Sequence, residues 1–290
     1  MKKNWIKGII GTISVLTLAA CGGETGTSDS SQSISSAESE SEVVLMDDSK
    51  LADIQEKGEL IMATTADYPP YEWHLVKDGK DEIVGFEIDI AKAIAEKIGV
   101  ELVVKDMDFD GLIPALTAGK VDIVLAGMNP TPKRAESVDF TDVYISQKDV
   151  VLIRKEDADK YTSKESLKDA KWATQKSTIQ EEFIQKEFPD SYLQSVGKWG
   201  TAILSLNTKK VDAILMVDNT ASRYADENEN LMIAELDIES TPNEAAVAVA
   251  KNNGSLLMKV NEIIDEMKES GDIDQLISEN VQLMEDNTIE

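Results

Sequence analysis

Gly85-Phe86-Glu87-Ile88-Asp89-Ile90-Ala91-Lys92-Ala93-Ile94-Ala95-Glu96-Lys97-Ile98-Gly99, running on into Val100-Glu101-Leu102-Val103-Val104-Lys105, holds a helix and a strand back to back. Phe86, Ile90, Ile94 and Ile98 recur every four residues, which stacks them on one face of an amphipathic helix. Gly99 can take the left-handed conformation that ends such a helix. Glu101–Lys105 is short and β-branched, so it predicts a strand. Upstream, Glu59–Thr64 reads as another strand, closed by the turn residues Asp67-Tyr68-Pro69-Pro70. Strand, helix, strand in that order is the grammar of an α/β fold.

The alternation continues downstream. A helix is expected over 111–118 and a strand over 121–125. A second set has strands at 149–154, 171–174 and 211–217, with helices at 177–188 and 201–207. The tail offers an extended 245–250 segment and helices near 255–269 and 273–280. Parallel strands need helical crossovers, so two sheets with helices on both faces are expected.

Ahead of this body, Lys2, Lys3 and Lys7 lead into an apolar run from Ile9 to Ala20, which ends at Leu18-Ala19-Ala20-Cys21. The run is too short to span a bilayer and reads as a secretory signal over residues 1–20. A small-small-Cys ending resembles the bacterial lipobox, in which the cysteine sulfur is lipidated and the chain is cut before it. The alternative is a signal peptide with a chance cysteine. Residues 21–49 then form a lipidated Cys21 and a Ser-, Glu- and Gly-rich tether, too poor in apolar residues to fold. Cys21 is the only cysteine, so stability comes from packing alone. The net charge of −26 argues against nucleic acid or anionic lipid as a partner surface. The single histidine, His74, excludes multi-histidine metal sites. No phosphate loop, metal-ligand run or nucleophile motif is visible, so no cofactor is expected.

Two places carry recognition chemistry. At Thr131-Pro132-Lys133-Arg134, directly after a strand, Thr131 suits an N-cap and Pro132 the first helical position. Cations in the first turn oppose the helix dipole. A guanidinium there makes sense against a carboxylate, which Arg grips through two parallel hydrogen bonds. Pairing with Glu136 or Asp139 on the surface is the alternative. Ser177-Thr178-Ile179-Gln180-Glu181 repeats the arrangement with a capping box. Two capped helix starts, each after a strand, suggest a cleft at strand carboxyl ends. Tyr68, Tyr71, Trp73 and Phe109 lie near predicted strand ends, where core packing is the usual fate of aromatics.

The stretch Gly85–Ile90 with Ile94, Ala95 and Ile98 resembles a signature of the polar amino acid-binding proteins of ABC importers. The resemblance continues through Phe109–Leu116, Gly119–Ile123, Ala126-Gly127-Met128 with Arg134, and Val138–Thr141. Val247–Lys251 and the segment from Asn261 to Gly271 look like that family's closing part.

The resemblance implies a two-lobed, type II periplasmic-binding-protein-like fold that closes on a free amino acid. Each lobe is a mixed sheet flanked by helices, joined by a two-segment hinge near Ser146 and Ser240. The first lobe would comprise 50–146 and a return segment 240–290, the second 147–239. Arg134 then matches the residue that grips the ligand α-carboxylate, with backbone amides near Thr178, Ile179 and Gln180. Ala126 and Gly127, through the Gly127 carbonyl, and Asn129 fall at the α-ammonium site. Tyr68 and Phe109 fall where relatives sandwich the side chain, and Gln175 with Thr65, Glu72 and Trp73 are candidate specificity residues. The family's second-lobe carboxylate falls on Val217 by counting. Either the loop shifts by one residue, so that Asp218 pairs with the ammonium, or another acid does. Implied partners are a free amino acid and a membrane permease, the protein being a monomer held on the extracellular face through Cys21. It is not expected to be an enzyme. The rivals are a dehydratase-type enzyme on the same fold and a ligand-presenting sensor.

Overall fold

The computed structural model describes residues 49–287. The chain begins with α1 (Lys50–Lys57), β1 (Glu59–Thr64), β2 (Asp67–Tyr68), β3 (Glu72–Lys77), β4 (Lys80–Val84) and α2 (Phe86–Ile98). It continues through β5 (Glu101–Asp106), α3 (Phe109–Thr117), β6 (Ile123–Val124), α4 (Pro132–Ala135), β7 (Val138–Phe140) and β8 (Ile145–Gln147). Next come β9 (Asp149–Arg154), β10 (Trp172–Gln175), α5 (Ile179–Glu187), β11 (Leu193–Val196), α6 (Trp199–Asn207), β12 (Ala213–Val217), α7 (Asp218–Glu227) and β13 (Leu231–Ile233). The last elements are β14 (Asn243–Ala245), β15 (Ala248–Ala250), α8 (Gly254–Ser270) and α9 (Asp272–Asp286).

Ten strands form two five-stranded sheets, one ordered β5-β1-β6-β15-β7 and the other β11-β10-β12-β9-β13, and β2, β3 and β4 form a small three-stranded sheet. In the first, β1 runs parallel to β5 and β6, and the late strand β15 inserts antiparallel between β6 and β7. In the second, β10 is parallel to β11 and β12, while β9 is antiparallel to β12 and β13. Each sheet is therefore mixed, with its parallel pairs bridged by helices. The chain leaves the first sheet through β8 and returns through β14. These two crossings pair with each other antiparallel, Ser146 opposite Glu244.

Local chemistry explains the elements. The helix α2 buries Phe86, Ile90, Ile94 and Ile98, the four residues of the predicted face, together with Ile88, Ala91 and Ala95. It ends at Gly99 in the left-handed region, φ 85°, whose N–H donates to the Ala95 carbonyl. Burying each large apolar side chain contributes roughly 1.5–3 kcal/mol, so a truncation such as Ile94→Ala removes about 2–5 kcal/mol. All six residues of β9 are buried, because the strand lies inside the second sheet between β12 and β13.

Several expectations shift in extent. The 121–125 strand pairs only over β6, and the 245–250 segment divides into β14 and β15, which join different sheets. The helix expected from 201 starts at Trp199, and the one expected over 111–118 starts at Phe109. The hairpin β3–β4 and the helix α7 are additional. The hairpin turns at Asp78-Gly79, both at positive φ, a dipeptide suited to that turn. The helix α7 buries only Thr220, Ala221 and Arg223, which leaves little apolar periodicity to read.

Candidate functional site

The carboxyl ends of four parallel strands, two from each sheet, deliver their loops to one place. After β1 comes Tyr68; after β6 come Ala126, Gly127 and Asn129; after β10 come Thr178 and Gln180; after β11 comes Trp199. With Phe109, Gln175 and Asn243, these residues line a narrow cavity with free space of only about 10 Å³. That is room for about one water, far below the ~300–1,000 Å³ of open ligand clefts, so the facing walls lie nearly in contact. The lining is aromatic and amide-rich and, among the described residues, holds no ionised side chain.

The walls are closely fitted. Tyr68, from the first lobe, stacks on Trp199, at the start of α6 in the second, with centroids 6.0 Å apart and planes 17° apart. Gly127 has φ +57°, and a Cβ there would come within 2.9 Å of the Tyr68 ring. Its N–H donates to Glu87 Oε1 (2.9 Å), which also accepts from the Tyr144 hydroxyl (2.5 Å). Behind this, the Glu72 carboxyl is fully buried beside Glu87. Burial first, and the Glu87 charge second, hold Glu72 well above the ordinary carboxylate range.

Arg134 stands at the cavity's edge. Thr131 caps the short helix α4 by accepting from the Arg134 N–H (3.3 Å). The guanidinium donates to the Asn129 carbonyl (2.9 Å) and, across the gap, to the Ser177 carbonyl of the second lobe (2.8 Å). It lies 5.2 Å over the Phe109 ring. Burial pulls its pKa down to about 10, and Glu182 opposes that fall. Neither Glu136 nor Asp139 engages it; Asp139 pairs with Lys251.

On the facing lobe, Thr178 Oγ1 accepts from the Glu181 N–H (3.2 Å) and donates to the Gln175 carbonyl (2.7 Å). The first amides of α5 have no partner inside their own helix, which favours an anion there. Glu181 reaches back to the N–H of Ser177 (2.6 Å), one residue earlier than an ordinary capping box.

The sequence of residues 60–282 matches the model of the bacterial extracellular solute-binding proteins, family 3. The chain belongs to this family. It is 32% identical over 281 residues to the arginine-binding extracellular protein ArtP of Bacillus subtilis, covering 94% of this chain and 96% of the relative. It is similar to the crystal structure of the substrate-binding protein AbpA of a Streptococcus pneumoniae amino acid ABC transporter, bound to L-arginine. There the TM-score is 0.78 at 34% identity, over 80% of this chain and 98% of the other. Another solved substrate-binding protein of an amino acid ABC transporter is 45% identical, with a TM-score of 0.72 over 77% of this chain and 98% of the other. As a family 3 solute-binding protein the chain has the two-lobed type II fold.

Of the residues singled out in the sequence, Tyr68, Phe109, Ala126, Gly127, Asn129, Gln175, Thr178 and Gln180 meet in the cavity. Arg134 and Ile179 line the groove beside it, which shares Phe109 and Thr178 with the cavity. Asp218 is not in the lining; it opens α7 and pairs with Lys148 at 3.7 Å. Thr65 and Glu72 are buried behind the wall, and Trp73 lines a separate groove with His74 and Tyr224. Cys21 lies outside the described residues.

Trp199, Asn243 and Asp149 escaped the sequence reading. Asp149 is buried, and its Oδ1 accepts from two lining amides, Gln180 Nε2 (2.8 Å) and Asn243 Nδ2 (3.3 Å). The readable signal was an acid opening the otherwise apolar run 149–153.

Proposed function

We propose that the protein is a lipid-anchored capture protein on the extracellular face of the membrane. It closes as a monomer on one polar L-amino acid and delivers it to an ABC permease. Residues 50–146 and 240–290 form one jaw and 147–239 the other, with β8 and β14 as the hinge. The observation that carries the reading is Arg134, a half-buried guanidinium that bridges the two jaws yet pairs with no carboxylate among the described residues. A ligand α-carboxylate supplies the missing charge. It is drawn also by the amide end of α5, and by exchanging the Ser177 contact for two charge-assisted bonds of about 1.5–3 kcal/mol each.

Tyr68, Phe109 and Trp199 with the amides of Gln175, Gln180 and Asn243 suit a side chain that ends in a planar polar group, an amide or a guanidinium. The absence of an ionised acid from the lining favours the amide. Turnover would need an acid or base in the lining. Tyr68 is the only titratable group there among the described residues, and burial holds its pKa well above 10. The lipobox-like Leu18-Ala19-Ala20-Cys21 supports the anchor. A thermal-shift screen of the protein against the twenty standard L-amino acids tests the reading, since selective binding of one raises Tm by mass action. We expect a large shift with one polar compound, glutamine exceeding arginine. No shift with any of the twenty refutes the function.

A further inference from the structure

Arg134 has a counterpart of opposite sign at the same cavity. Asp149 opens β9 in the second sheet, is buried, and is held by neutral donors only: the amides of Gln180 and Asn243 and the Ser240 side chain. Among the described residues no lysine, arginine or histidine forms an ion pair with it. Burial pushes its pKa up, as expected for a carboxylate whose hydrogen bonds solvate it without neutralising it. Its charge is felt by the Tyr68 phenol of the cavity wall.

Two uncompensated charges of opposite sign, one buried and one half-buried, at the margins of one neutral cavity are costly unless something bridges them. A zwitterion does so with its two ends. We propose that Asp149 is the counter-ion of the ligand α-ammonium. This deepens the amino acid reading given above and rests on it.

The register supports the assignment. Asp149 sits directly opposite Val217 in the β9–β12 pairing, so the strand end that faces the cavity from β12 is apolar and its neighbour supplies the acid. Asp218, one residue on, is a third exposed and already faces Lys148. The surrounding amides are set to receive the same ammonium. Asn129 Nδ2 donates to Asn243 Oδ1 (2.8 Å) and to the Glu244 carbonyl (2.7 Å), which leaves the Asn129 amide oxygen as its acceptor. Asn243 in turn donates its longer, 3.3 Å bond to Asp149, the contact an entering ammonium would replace. Because Asn243 lies on one hinge strand and Gln180 on α5, ammonium binding ties the closed jaw to the hinge.

Calorimetry tests this with the amino acid that gives the largest thermal shift, on the wild-type protein, Asp149→Asn and Asp218→Asn. Asp149→Asn should weaken binding about 30-fold or more, the loss typical of truncating a buried charge pair, while Asp218→Asn stays within about threefold, as for a surface pair. The unliganded Tm of Asp149→Asn should equal or exceed that of the wild type. The α-hydroxy analogue of the same ligand adds a readout that a purely structural role would not move. It should bind the wild type much more weakly than the amino acid does, and this difference should shrink in Asp149→Asn. Wild-type binding with undiminished affinity in Asp149→Asn overturns the assignment and leaves the amino acid reading intact. If that variant does not fold, equal affinity of the wild type for the α-hydroxy analogue overturns it instead. Failure of every amino acid to bind the wild type overturns the functional reading, and this assignment with it.

Discussion

Replacing Asp67 by Asn should tighten ligand binding at neutral pH and lose that advantage in acid. Asp67 opens β2, which pairs with β3 in the first lobe, but its Oδ2 accepts from the Gly200 N–H (3.3 Å) in the first turn of α6, in the second lobe. The helix's own N-cap position, Lys198, offers no side-chain cap, so the opposite jaw supplies it. Burial is the main cause that lifts the Asp67 pKa from 3.8 to about 6. The Gly200 amide, the Lys198 charge and the Trp199 amide lower it, and Asp106 adds to the rise. When the jaws separate, the carboxyl returns to water and to its ordinary value. At ~1.4 kcal/mol per pH unit, holding it ionised in the closed form costs up to about 3 kcal/mol.

The closed form thus binds this proton more tightly than the open one. Closure gains free energy as pH falls through about 6, and the gain is complete below 3.8. Asp106 works the other way. Burial raises its pKa, but the Lys198 ammonium and the Ala66 amide outweigh burial and hold it below 3.8, so its ion pair fails only in stronger acid. Between pH 4 and 6 the Asp67 contribution stands out. Asn still caps a helix well, so Asp67→Asn should bind about 10- to 100-fold more tightly than wild type at pH 7.5. The two affinities should converge near pH 4.5 when measured by calorimetry. A ratio that is flat across pH, or weaker binding by the variant at pH 7.5, refutes the burial argument.

Two further substitutions probe the cavity walls. Gly127→Ala should lower stability by about 1–2 kcal/mol through its left-handed backbone and push the Tyr68 ring into the cavity; thermal melts and calorimetry should show both losses together. Trp199→Ala removes the interlobe stack and should cost about 3–5 kcal/mol, shared between the second lobe and the closed form; retention of full ligand affinity would show that the stack does not support closure.

The scaffold was legible where one physical signal governed a segment. The face of α2 follows from the spacing of Phe86, Ile90, Ile94 and Ile98, and β9 from its apolar run. The Thr131 and Thr178 caps announced themselves because capping is local. The site was less legible because its parts are set by register. Asp149 reaches the cavity margin only because β9 turns back antiparallel beside β12, and no local pattern states that pairing. Asn243 arrives on a strand that begins nearly a hundred residues later, and Trp199 reads as a core residue until its partner across the cleft is known. The polar helix α7 carries Asp218 away from the lining and onto Lys148, whereas counting fell on Val217 and needed a one-residue shift to bring Asp218 to the ligand.

The most direct test of the central claim is the affinity of Arg134→Ala for the amino acid that stabilises the wild-type protein most. A buried carboxylate deprived of its guanidinium should lose about 2–5 kcal/mol, while unliganded stability changes far less, since two carbonyl contacts and the packing on the Phe109 ring go. Unchanged calorimetric affinity in Arg134→Ala would place the acid head of the ligand elsewhere and contradict the account.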